Sequence, residues 1–384
     1  MSKVNLCDIC DFQGGSQPPK SQWITLQQDG YIRMLQIRDF TQPGKVKAEY
    51  VKLTNTTKCC LKDDILIARY GASLGKILTG LSGAYNVAMT KAVPNEAVIS
   101  KKFLYYFLCS DTFQNCILNV GVRAAQAGFN KEDLSNIELY CPDLSIQNKI
   151  CKILELVDVL INKSKLQLDE LDLLVKSRFV EMFGDPKSNP KGWNKKTLSE
   201  IITKANNGMA RRGNDESGSI VLRLVELQGG FIDYSKPNRI ILTEKEQEKY
   251  LLQENDILFA RVNGNPLNVG RCAVFHTIDE AVYHNDHIIR VHFDDSLING
   301  VFASNILNSE YGKDQLKNKI KTSAGQYTIS QDGIGAIESI MPPIELQNQY
   351  ADFVAQVDKS KLAIQKSLDE LEILKKSLMQ QYFG

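Results

Sequence analysis

Cys7-x-x-Cys10 and the adjacent Cys59-Cys60 are the residues whose spacing first suggests chemistry, that of a four-thiolate zinc site. Adjacent cysteines rarely ligate one metal together, and the second half of the chain has no equivalent, so small buried apolar cysteines are the plainer expectation. All four histidines fall between His276 and His292. His284-x-x-His287 could present two ligands or a base on one face, but AVYHNDHIIRVHF reads as strands around a turn carrying ordinary histidines. The chain has no Gly-x-x-x-x-Gly-Lys-Ser/Thr loop, no Asn-Pro-Pro-aromatic or Asp-Pro-Pro-aromatic tetrapeptide and no Glu-x-Lys. P-loop nucleotide binding, amino-methyl transfer and metal-dependent DNA cleavage are therefore left without their usual cores.

Contact with nucleic acid suits the polar residues better. Base readout uses Arg, Lys, Asn and Gln on loops or helix starts, supported by phosphate contacts. The first half supplies Gln17 to Lys20, Arg69 followed by Tyr70 and Ser73, and Arg123 with Gln126. The second supplies the stretch Asn206 to Asn214 with Arg211 and Arg212, a loop with Asn263, Asn265 and Asn268 after Arg261, and the run Lys313, Lys317, Lys319 and Lys321. Solvated polar loops look the same, so each cluster also reads as plain surface. Arg69 and Arg261 have a specific alternative: each follows an Asp-Ile-Leu, which would suit a scaffold ion pair with Asp64 and Asp256. The net charge of +1 excludes a protein that coats nucleic acid by charge alone.

What positions these residues is a repeat. Ile137 to Gly184 returns as Ile337 to Gly384, offset by 200 residues without a gap: Pro142 meets Pro342, Gln147-Asn148 meets Gln347-Asn348, and Phe183-Gly184 meets Phe383-Gly384. Apolar residues at Leu154, Val157, Ile161, Leu168, Leu171, Val175 and Met182 keep a 3–4 alternation, with Ser164 and Arg178 interrupting. Val354, Val357, Ile364, Leu368, Leu371, Leu378 and Tyr382 repeat it, with Lys361 and Lys375 interrupting. That pattern predicts two coiled-coil helices of about 60 Å at 1.5 Å per residue. They suit either a brace inside one globule or a spacer between two heads, and two like helices from one chain most simply pair antiparallel. Prolines precede each helix, and Gly184-Asp185-Pro186 ends the first.

The intervening segments echo one another more faintly. DDILIARYGASLGK (63–76) parallels ENDILFARVNGNPLNVGR (254–271), and Leu6, Asp8 and Ile9 correspond to Leu198, Glu200 and Ile201. Helix-like stretches at 101–119 and 299–319 stand at matching places, and Gln126 is opposite Gln326. Short strands with one or two helices make each segment mixed α/β. A length of 384 residues allows two to three domains. No apolar run approaches a membrane span, the N-terminus lacks a signal-like stretch, and nine cysteines, an odd number, fit a reducing cytoplasm.

The paired Pro-x-x-x-x-Gln approach to each helix, the endings through Phe183-Gly184 and Phe383-Gly384, the segment MFGDPKSNPKGW (182–193) and the two Asp-Ile-Leu-x-Ala-Arg signatures resemble the specificity subunit of type I restriction–modification systems, over essentially the whole chain. The resemblance implies an α+β chain: two mixed α/β target-recognition domains joined by two long antiparallel coiled-coil helices in a pseudo-two-fold head–helix–head–helix order. The corresponding limits are 1–143 and 193–342 for the heads, 144–184 and 343–384 for the helices, and 185–192 for the linker. It implies a subunit that is not an enzyme by itself and that reads a bipartite double-stranded DNA site, with the helices as a ruler for the spacer. It also implies docking to two methyltransferase subunits and to translocase/nuclease subunits of a restriction endonuclease and adenine methyltransferase complex. S-adenosylmethionine, ATP and magnesium belong to those partners, and none to this chain. The site residues expected are Gln17, Lys20, Arg69, Tyr70, Ser73, Arg123, Gln126, Arg211, Arg212, Asn214, Arg261, Asn263, Asn265, Asn268 and Lys321. A coiled-coil scaffold, or a DNA-binding protein without restriction partners, is the competing reading.

Overall fold

The computed structural model describes residues 3–121, 128–323 and 325–384. The chain is α+β and falls into two compact units, residues 1–166 with 365–384, and residues 167–364. Each unit holds one β-rich head, the half of a long helix that leaves it, and the half of the other long helix that arrives. The helices run Leu144–Phe183 and Ile344–Phe383.

The two heads share one scaffold. In the first, Cys10–Gly14, Met89–Pro94, Ile65–Ala68 and Ile77–Leu78 form a four-stranded antiparallel sheet in that order. The second repeats it with Ile202–Asn207, Ile288–Phe293, Ile257–Ala260 and Cys272–Val274. Ile65–Ala68 and Ile257–Ala260 are buried at every position, as expected for short apolar runs in the middle of a sheet covered on both faces. A further sheet in each head contains one parallel pair, Tyr31–Leu35 with Gly83–Tyr85 and Ser219–Leu222 with Val282–His284. The helical stretches expected at 101–119 and 299–319 each break into two helices, at Ser110 and Ser309. At both breaks a serine hydroxyl accepts from a backbone N–H three residues on.

The repeated glutamine explains how each long helix is fixed to its head. Gln147 is fully buried. Its Oε1 accepts from the Ser100 N–H at 2.8 Å, and its Nε2 donates to the carbonyls of Val98 and Pro142 at 2.8 and 2.7 Å. Gln347, equally buried, accepts from the Asn299 N–H at 2.9 Å and donates to Leu297 and Pro342 at 3.1 and 2.8 Å. Each amide thereby ties the first turn of a long helix to the residue that caps the head's own helix. A buried amide with all three bonds made holds the junction in one geometry, because any shift would strand a buried polar group.

The 3–4 seam is realised within both units, and the two helix halves in each run antiparallel. In the first unit Lys375 pairs with Asp158 at 2.5 Å and Lys165 with Glu372 at 2.9 Å. In the second, Lys361 pairs with Asp172 at 2.6 Å. The two lysines that interrupt the seam thus face acids on the opposing helix. Their side chains are only about a third exposed, so each stem covers the seam while the ammonium reaches its partner. The helix ends are buried by aromatic residues. Phe183 packs on Phe302 and Tyr350 in the second unit, and Phe383 on Phe103 and Phe107 in the first. The hydroxyl of Thr112 donates to the Phe383 carbonyl at 2.6 Å, and the Trp193 indole to the Phe183 carbonyl at 2.8 Å. Both satisfy carbonyls that the last helical turn leaves without partners.

Candidate nucleic-acid interface

Arg69 and Arg261 leave their strands at equivalent places, and the following loop closes identically in both heads. The Gly75 N–H donates to Ala68 and the Gly270 N–H to Ala260, at 2.9 and 2.8 Å. Both glycines lie at positive φ, 79° and 78°, where a side chain would be strained. A short 3-10 turn fills each loop, Gly71–Ser73 and Pro266–Asn268. The expected scaffold ion pairs are not made. Arg69 approaches the Phe129 carbonyl at 3.4 Å and Arg261 donates to the Asp286 carbonyl at 3.0 Å. Asp64 is met instead by Lys91 and Lys101, and Asp256 by Arg290 and His292. A separation of five residues along a strand puts two side chains on opposite faces and roughly 16 Å apart, which forbids the pair.

In the first head, Tyr70 is 41% exposed, with the Arg69 guanidinium 5.1 Å from its ring centre. Gly128 allows this, since a Cβ there would stand 2.5 Å from the tyrosine ring. An exposed aromatic ring beside a guanidinium offers a flat face and a positive edge, a combination suited to a base or a sugar-phosphate. Gln17 is exposed and Ser73 half-buried on the adjoining loops. Lys20 pairs with Glu49 at 2.6 Å and covers the Trp23 ring at 3.8 Å. Its ammonium holds the Glu49 carboxyl below the usual carboxylate range. Arg123 and Gln126 lie outside the described residues.

The second head sorts its candidates more sharply. Arg211 is paired with Glu246 at 2.7 Å, and Arg212 with Asp286 at 2.7 Å. The Thr243 N–H, and then Arg211, hold Glu246 below the usual range. Asn263 and Asn265 turn their side-chain oxygens inward, accepting from the N–H groups of Asn265 and Leu267. They shape the loop, and Asn268 completes its 3-10 turn. Asn214 lines a cavity of about 530 Å³ that also carries Glu216 and Glu280, and its Arg239 is already held by Glu280 through two bonds. That cavity is ill-suited to a polyanion. A second cavity, of about 400 Å³, brings together Arg261 and Lys321 from the expected set with Asn207 and Gln331, and its two cations outnumber its one carboxylate, Asp332. Asn207 belongs to a stretch the sequence marks, whereas Gln331 carries no signal beyond standing 200 residues after Lys131.

Among the described residues no group of three His, Cys, Asp or Glu could hold a metal ion. Burial pushes the Cys10 thiol up to about 12 and the Cys60 thiol to about 11, so both are poor nucleophiles and ligands. Burial pushes the His284 imidazole down to about 4, with its Nδ1 3.3 Å from the Tyr250 carbonyl. Among the described residues no helix is long and apolar enough to cross a membrane.

Residues 1–170 and 190–373 match the family model described as the type I restriction modification DNA specificity domain. The StySPI specificity subunit of Salmonella potsdam is 24% identical over 392 residues, which span 95% of this chain and 84% of that one. The EcoKI specificity subunit of Escherichia coli K12 is 21% identical over 366 residues, covering 88% and 77%. Among solved structures, the S subunit of a type I restriction–modification system from M. genitalium superposes with a TM-score of 0.60 at 16% identity, covering 100% of this chain and 96% of that one.

Proposed function

The chain belongs to the type I restriction–modification DNA specificity family and is the non-catalytic, DNA-binding specificity subunit of such a system, and on that premise we propose that each head reads one half of a bipartite double-stranded site. The observation that carries this reading is one scaffold bearing two unlike surfaces. Loops closed by the same backbone bonds present Tyr70 beside Arg69 in one head, and Asn207, Gln331 and Lys321 around Arg261 in the other. In this reading the heads correspond to 1–143 and 193–342. The contacts fall to Gln17, Lys20, Arg69, Tyr70 and Ser73 in the first, with Arg123 and Gln126. In the second they fall to Arg261, Lys321, Arg211 and Arg212, with Asn263, Asn265 and Asn268 shaping the loop, while Asn214 stands apart in the cavity with Glu216 and Glu280.

The long helices, 144–184 and 343–384 around a 185–192 linker, govern the spacer and receive two methyltransferase subunits. Leu156, Val159, Leu173 and Val180, each more than half exposed on the first helix, suit such docking. Translocase/nuclease subunits join the same complex in the cytoplasm. S-adenosylmethionine, ATP and magnesium are bound by those partners. Mapping modified bases in cells with the intact operon tests the reading. A bipartite motif that vanishes on deletion of this gene, and changes in one half only when one head is exchanged, is the expected result. An unchanged pattern refutes it.

A further inference from the structure

We infer that Asn207 and Gln331 form a paired-amide reader of one adenine in the half-site of the second head, an inference that rests on the DNA-reading function proposed above. Asn207 ends the strand Ile202–Asn207, and Gln331 opens the helix Gln331–Gly335. They are 124 residues apart in sequence, yet the Gln331 Nε2 donates to the Asn207 Oδ1 at 3.2 Å. That bond uses one donor and one acceptor. It does not use the Asn207 amide N–H groups or the Gln331 carbonyl oxygen, one donor and one acceptor on two side chains in contact. Exchanging oxygen and nitrogen in both amides leaves the same pair of functions. In the major groove, adenine presents the complement, an N7 acceptor beside an N6 donor, whereas guanine presents two acceptors.

Both residues stand on fixed backbone. A Cβ at Gly208 would come within 2.3 Å of the Asn285 carbonyl, so the chain just after Asn207 is pressed against the neighbouring turn. The Ile329 N–H donates to the Arg261 carbonyl at 3.0 Å, and the Ser330 hydroxyl accepts from the Gly333 N–H at 3.1 Å. Two amides already bonded to each other lose less freedom on meeting a base than two free ones. The flanking Arg261 and Lys321 line the same cavity and supply positive charge for the phosphates beside that base.

The first head supports the assignment by contrast. Gly15 stands where Gly208 does, each pressed against the backbone of the equivalent turn. Asn207 therefore corresponds to Gly14, and Gln331 to Lys131, which pairs with Asp11 at 2.9 Å. The arginine is retained while the amide pair is absent, so this position differs between the heads in the way a letter-reading site must.

The test uses the assembled complex and duplexes in which each adenine of the second half-site is replaced in turn by 7-deazaadenine, which lacks the N7 acceptor. The wild-type complex should lose affinity roughly 2- to 13-fold at one position, the scale of the one hydrogen bond to N7 that the replacement removes. Asn207→Ala with Gln331→Ala should be insensitive to the replacement at that position. Its methylation motif should relax there alone, with the first half-site unchanged. Thermal unfolding like that of wild type confirms the fold of the variant. Equal loss at every position, or an unchanged motif, overturns the assignment while leaving the DNA-reading function standing. A wild-type complex with no sequence-dependent methylation overturns both.

Discussion

Replacing Gln147 by alanine removes three hydrogen bonds at once from a site with no exposed surface. At about 0.5–1.5 kcal/mol net for each bond, and with water able to enter part of the space left, the loss should be about 2–4 kcal/mol. In a unit of this size each kcal/mol moves the midpoint by about 2–4 °C, so calorimetry should show a fall of roughly 5–15 °C. Gln147→Glu sharpens the reasoning. The carboxylate still accepts from Ser100 but turns an oxygen toward the carbonyls of Val98 and Pro142, to which it cannot donate. Only the protonated acid restores one of those bonds, so its pKa should rise in the folded state. The variant is then best tolerated below the unfolded value of about 4.3, and it loses stability as pH climbs through the raised folded value. Gln347→Ala should cost the same, because its contacts repeat those of Gln147. A fall of under about 0.5 kcal/mol, or a glutamate variant as stable as wild type at pH 8, would refute the clamp.

Phe383→Ala should destabilise the first unit by about 3–5 kcal/mol, since the ring is buried among Phe103 and Phe107, and hydrogen exchange should locate the loss there. A double-mutant cycle on Asp158 and Lys375 should give a coupling under about 1 kcal/mol, because both side chains remain about a third exposed; a larger value would mean the seam is drier than its exposure indicates. His284 is buried neutral, so the unfolded chain takes up a proton first as pH falls. Stability should therefore decline between about 6.5 and about 4, by up to about 3 kcal/mol, and His284→Phe should flatten that slope in denaturation at graded pH.

The long helices were legible because a 3–4 alternation needs no knowledge of the partner: every seam position from Leu154 to Met182 and from Val354 to Tyr382 is buried or half-buried. Why Lys361 and Lys375 interrupt it was not legible, since Asp172 and Asp158 sit on the opposing helix. The prolines and glutamines before each helix were visible as a motif, but their purpose depends on carbonyls more than forty residues away. Strand geometry alone could have excluded the Arg–Asp scaffold pairs. The amide pair of Asn207 and Gln331 had no signature as a pair: Asn207 lies in the marked stretch 206–214, but Gln331 joins it only where the sheet edge and the short helix meet.

The composition of the two units also sets a schedule for synthesis. The first head leaves the ribosome early, yet its core and helix seam take in Leu378, Tyr382 and Phe383 from the last twenty residues. The head made first is thus completed last, and until then Phe103 and Phe107 lack the ring that covers them. A chain cut near residue 364 would keep its second unit whole while the first exposed an apolar groove, the condition in which a chaperone or a protease finds its substrate.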